Sequence, residues 1–133
     1  MRKDIKNIVD AAEENLKMAK DDLDDKSYRG ACFWAQQAAE LFIKAYMIEK
    51  GIFNPKKHIT HNLLFLVLEC LKVDKDFEKL LEIKEKLRQL SEYAIAARYT
   101  FENLRKISEE EAKEAIEIAE KVRDFVLKKL KLE

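Results

Sequence analysis

The chain has 133 residues, 47% of them hydrophobic and 39% charged, with only two Gly and one Pro. So few turn residues argue against a sheet-rich or loop-rich fold and favour long helices. The 26 basic and 26 acidic residues cancel, which removes any bulk electrostatic case for a nucleic-acid binder and leaves only a local basic patch.

The first predicted helix runs from about Lys3 to Leu23, where Ile5, Ile8, Val9, Ala12, Leu16, Ala19 and Leu23 form one apolar stripe. Its N-terminus is charged throughout and lacks the apolar centre of a signal peptide. The run Asp21, Asp22, Asp24, Asp25 opposes the helix dipole and marks the stop. A metal loop is the sharper reading of that run, but no Gly or Glu follows at calcium-loop spacing. Ser27 is placed to cap a second helix, Tyr28 to Lys50, and Gly51 to close it in the left-handed conformation. That helix is apolar on nearly every side, so it is expected near the centre of a bundle. The stretch GIFNPKKHIT follows as the longest loop, since Pro55 keeps Asn54 extended.

A short third helix is predicted from about Thr60 to Leu71. A fourth, capped by Asp74, runs from about Lys75 to Tyr99, with Phe77, Leu80, Leu81, Leu87, Leu90, Ala94 and Ala97 on its apolar face. The segment from Thr100 to Ile107 has no clear period. Ser108 and Glu111 form a capping box that opens the last helix. Five helices, four of them long, give an all-α up-down bundle of one domain spanning the chain, 1–133. Cys32 and Cys70 lie alone in apolar helical contexts and read as small core residues rather than a disulfide. No apolar run is long enough to span a membrane, and a soluble cytoplasmic protein is expected.

Three constellations could carry chemistry. On the second helix, Gln36, Gln37, Glu40 and Lys44 interrupt an otherwise apolar surface, and Gln37, Glu40 and Lys44 share one face. They are either an internal Glu40–Lys44 pair or a polar seam facing a partner or a cleft. The two histidines, His58 and His61, flank the start of the third helix. His61 at a helix N-terminus reads first as a residue that orders the loop, second as part of a polar site. A metal site is disfavoured because no carboxylate follows closely. Arg98 and Tyr99 end the fourth helix. A cation there suits the dipole, and an Arg beside a cleft could also bind phosphate in a bidentate manner, with Tyr93 and Tyr99 near enough in sequence to stack on a base. No glycine-rich loop, nucleophile elbow or paired metal carboxylates are present, so neither cofactor nor metal is expected.

The pattern Ala31-x-Phe33-x-Ala35-Gln36-Gln37-Ala38-Ala39-Glu40-x-x-x-Lys44-Ala45 resembles the HEPN domain (higher eukaryote and prokaryote nucleotide-binding domain). Three further elements agree in order along the chain: the spacing from Leu23 to Tyr28, Thr60-His61-Asn62-Leu63, and Ala97-Arg98-Tyr99. The resemblance implies a bundle of four to five helices, usually a homodimer. Many members of that family accompany a minimal nucleotidyltransferase as toxin–antitoxin pairs, and others are RNases with an R-x(4–6)-H motif at the dimer interface. Here no His follows His61, and Thr100 stands where a Pro is common. The implied protein therefore dimerises and binds a nucleotide, a nucleotidyltransferase partner or both, through Gln37, Glu40, Lys44, Arg98 and Tyr99. It is not expected to have the standard RNase chemistry. The alternative is an RNase toxin with a non-standard site around Arg98, His61 and Glu40.

Overall fold

The computed structural model describes residues 1–96 and 105–131. Among the described residues six α-helices follow one another: α1 (Lys3–Asp24), α2 (Tyr28–Glu49), α3 (Leu63–Leu71), α4 (Glu78–Leu81), α5 (Lys84–Ala96) and α6 (Glu109–Lys131). A 3₁₀ turn, Lys75–Phe77, precedes α4, and no strand occurs among the described residues. The architecture is the all-α bundle expected from composition and periodicity.

The helix α2 packs against α1, α6, α5 and α3, which is why it is apolar on nearly every side. Its residues Phe42, Ile43, Tyr46 and Met47 are fully buried or within one per cent of it, and each large apolar side chain so buried contributes about 1.5–3 kcal/mol. They join Ile5, Leu16, Leu66, Phe77, Leu87, Leu90 and Val122 in one core drawn from the surrounding helices. Cys32 and Cys70 are buried and unpaired with each other. Burial pushes both thiols up to about 12, so they serve as small apolar side chains.

Local chemistry explains most helix ends. Gly51 has φ +70°, and the N–H groups of Gly51 and Ile52 donate to the carbonyls of Ile48 and Met47 at 3.1 and 2.9 Å. This is a Schellman closure of α2. The Ser108–Glu111 capping box forms in both directions, at 3.1 and 2.9 Å. Ser27 occupies the N-cap position of α2, but its side chain makes no capping bond.

Two expected boundaries need correction. The third helix begins at Leu63, not near Thr60, because Asn62 is the residue that caps it, accepting from the Phe65 N–H at 3.0 Å. The predicted fourth helix is interrupted. Asp74 caps the 3₁₀ turn by accepting from Asp76 N–H at 3.0 Å, and a turn at residues 82–83 separates α4 from α5. That corner is anchored from α6, where Lys129 pairs with Asp74 at 3.0 Å and also with Asp76, and from α2, where the Tyr46 hydroxyl donates to Asp74 at 3.0 Å.

Candidate functional site

The polar residues of α2 form a connected seam. Gln36, Glu40 and Lys44 recur every four residues and so stack along one face. Lys44 Nζ donates to Glu40 Oε2 at 2.8 Å. Gln36 Nε2 donates both to Glu40 Oε1 and to the main-chain oxygen of His61, each at 3.1 Å. Gln37 Nε2 closes the seam by donating to Gln36 Oε1 at 2.7 Å. Gln36 is fully buried, and this pairing is what makes its burial tolerable.

His61 reaches the seam from the connection between α2 and α3. Its Nδ1 lies 2.7 Å from Glu40 Oε1. Burial of Glu40 favours its neutral form, yet hydrogen bonds from Lys44, His61 and Gln36 outweigh that cost and hold its carboxyl below the usual range. Glu40 is therefore a carboxylate acceptor, and Nδ1 of His61 carries the proton between them. In the neutral ring Nε2 is then the basic nitrogen.

The His61 side chain is 38% exposed and lines a groove of about 410 Å³ with Thr60, Asn62, Arg88, Ser91 and Glu92. Ser91 fixes the groove's floor. Its hydroxyl accepts from Leu63 N–H at 2.9 Å and donates to the Leu87 carbonyl at 2.8 Å, tying the start of α3 to α5. The groove thus combines a carboxylate-oriented imidazole with the guanidinium of Arg88, which also pairs with Glu85 at 2.6 Å, and the carboxylate of Glu92.

Gln37, Glu40, Lys44 and His61 are brought into this one network, whereas Arg98 and Tyr99 lie outside the described residues. Two participants, Arg88 and Ser91, were not anticipated. Gln36 was visible as a polar residue in an apolar helix but falls off the Gln37–Glu40–Lys44 spacing. Arg88 and Ser91 carry no local signal, because only the packing of α5 on α3 makes them neighbours of His61. His58 is also not a loop residue without a carboxylate: it is buried, with Nε2 2.9 Å from Glu69 Oε1.

A second polar cluster stands apart from the groove. Arg105 holds Glu111 in a two-pronged contact at 3.1 and 2.7 Å, and the Tyr93 hydroxyl donates to the same carboxylate at 3.3 Å. Chiefly through Arg105, these bonds hold Glu111 down to about 2. Arg29 also donates to the Arg105 carbonyl. The cluster ties α2, α5 and the start of α6 together and has the character of a structural anchor. Among the described residues no group of three or more His, Cys, Asp or Glu could hold a metal ion.

This helical frame and seam fit the comparison with known families. A family model described as HEPN domain matches residues 5–130. The chain belongs to the HEPN domain family. A relative of this HEPN protein in Methanocaldococcus jannaschii, named "Putative toxin MJ1304", is 29% identical over 129 residues, covering 91% of this chain and 84% of the relative. No solved structure matches. Among the described residues of this HEPN protein, no helix is long and apolar enough to cross a membrane.

Proposed function

We propose that this HEPN protein is a toxin-like member of the family that dimerises, binds a nucleotide through the His61 groove, and works with a minimal nucleotidyltransferase as its partner. The observation that carries this reading is the 2.7 Å contact between Glu40 and His61 at the edge of the groove. Glu40 orients the ring by accepting from its Nδ1–H, and Arg88 supplies a cationic donor to the same groove. Arg98 and Tyr99 are assigned to the same ligand by the sequence pattern. The relative's name supports the toxin-like assignment. Standard RNase chemistry is not assigned, since no His follows Arg98 to act as the second acid–base group.

The same contact favours one alternative. A carboxylate that orients an imidazole is also the arrangement of a general base, and an RNase built on Glu40, His61 and Arg98 would use it.

One set of preparations separates the two. Wild type, Glu40→Gln, His61→Ala and Arg98→Ala are titrated calorimetrically with ATP and incubated with total RNA. Nucleotide binding should weaken at least ~10-fold in His61→Ala, about 1.4 kcal/mol or more, with RNA left intact by every protein. RNA cleavage by wild type that disappears in His61→Ala or Arg98→Ala would replace the first reading with the second. Neither binding nor cleavage would remove both.

A further inference from the structure

Beyond the groove, the connection between α2 and α3 holds a second histidine–glutamate pair whose geometry is the more constrained. His58 is 4% exposed, and its ring packs near those of Phe53 and Phe65, with centroids 5.8 and 6.0 Å away. Its Nδ1 accepts from the Asn54 main-chain N–H at 2.8 Å. A main-chain N–H can only donate, so Nδ1 must present its lone pair. The ring proton is therefore on Nε2 and is donated to Glu69 Oε1 at 2.9 Å. The charged groups around this ring are Glu69 on α3, Lys57 of the connection at 2.7 Å from Glu69, and Lys72, just past the end of α3, at 2.6 Å from Glu69.

From His58 a short run of bonds leads to the groove. Its own N–H donates to the Asn54 carbonyl at 2.7 Å, and its carbonyl accepts from Thr60 N–H at 3.0 Å. The Thr60 hydroxyl then accepts from Asn62 N–H at 3.1 Å. His61 sits between those last two residues, its main chain held by Gln36 and its ring by Glu40.

We propose that buried His58, its tautomer fixed with Glu69, is a latch which acts through the Asn54 N–H to Nδ1 bond and sets the α2–α3 connection in the position where His61 meets Glu40, and that the latch requires the unprotonated Nδ1 of His58. His58 is thus a positioning residue for the candidate site and touches no ligand. Protonation of Nδ1 would set two donors against each other at Asn54, and that collision releases the connection. The proposal rests on the groove reading only for the use made of His61. The coupling between the two histidines is measured without ligand, so failure of nucleotide binding leaves it standing, and its own failure leaves the groove.

The test is nitrogen-15 NMR of the histidine rings and main-chain amides of the full chain, taken from pH 8 to pH 5. At pH 8 His58 should be the Nε2–H tautomer. As its Nδ1 takes up a proton, exchange of the Asn54 amide should rise at least tenfold, and the hydrogen-bonded Nδ1–H signal of His61 should be lost in the same step. His58→Asn places an amide oxygen where Nδ1 lies and cannot titrate. It should keep the His61 signal and abolish the step. His58→Gln offers a donor to Glu69 but no acceptor to Asn54, and should show the released state at every pH. If His61 and the Asn54 amide are unchanged while His58 titrates, or if His58→Asn retains the step, the latch is overturned. Should His58 stay neutral to pH 5, the proton requirement falls and His58→Gln decides the latch alone: a native His61 signal in that variant would sink it.

Discussion

The two histidine–glutamate pairs of this protein share their chemistry and differ in what surrounds it. His58 bonds Glu69 through Nε2, gives its other nitrogen to the main chain, and lies against two aromatic rings. His61 bonds Glu40 through Nδ1, stands at the rim of a groove, and is more than a third exposed. The first ring has both nitrogens committed to neighbours in its own chain, which is the mark of a positioning group. The second borders space that a ligand can enter. A carboxylate–imidazole pair thus takes its role from its setting, not from the pair itself.

The widest separation between them should appear on truncation. His58→Ala leaves a cavity beside Phe53 and Phe65 and strips Asn54 and Glu69 of a partner, so a loss of about 2–4 kcal/mol is expected in urea unfolding. His61→Ala, at an exposed rim, should stay within about 1 kcal/mol of wild type while losing nucleotide binding. Equal destabilisation by the two variants would erase the distinction.

Next in size is Glu40→Ala. It removes the acceptor of buried Gln36 and half-buried Lys44, so a loss of about 2 kcal/mol is expected by the same measurement. Glu40→Gln, which keeps the shape, should lose less. A variant as stable as wild type would mean that the seam rearranges freely.

Smaller, and read from pH dependence, is the effect of Glu69. Hydrogen bonds from His58, Lys57 and Lys72 depress its carboxyl from 4.5 to about 2. A depressed carboxylate stabilises the fold above its unfolded value, and that contribution is lost as pH falls from about 4.5 towards about 2. Stability should fall more steeply across that window in wild type than in Glu69→Gln, measured by denaturant midpoints at successive pH. Parallel curves would show that the latch contributes nothing through this charge. Least of all should be Lys17→Ala: its exposed pair with Asp21 should contribute no more than about 0.5 kcal/mol, which fixes the scale for the others.

Much of the frame was legible in the residues, for physical reasons. Long amphipathic stripes reveal α1 and α6, and all-round apolarity reveals the central position of α2. Gly51 and the Ser108–Glu111 box declare their helix ends because those signals act over a few residues. The break at residues 82–83 was not legible, since Leu80, Leu81, Leu87 and Leu90 continue one apolar stripe across it. Asn62 took the capping role at α3 because its side-chain oxygen reaches the Phe65 N–H, which moved His61 out of the helix and towards α2.

The site was half legible. Polar residues in an apolar helix announced Gln36, Gln37, Glu40 and Lys44, because burial without partners is costly. What they meet depends on chain closure over longer separations. His61 is 21 residues from Glu40, and His58 is 11 from Glu69. The one advance signal for the latch was Glu69 itself, a lone charge in the apolar stretch LLFLVLECL.

The most direct measurement is a titration of ATP into the nitrogen-15-labelled protein, following main-chain amides and histidine rings at pH 8, where the latch should be closed. The expected result is that shifts concentrate at His61, Asn62, Arg88 and Ser91, with the rings of His58 and the Glu111 cluster unmoved, and that they vanish in His61→Ala. Shifts centred on His58 or Glu111, or an unaltered response in His61→Ala, would contradict the assignment of the groove as the ligand site.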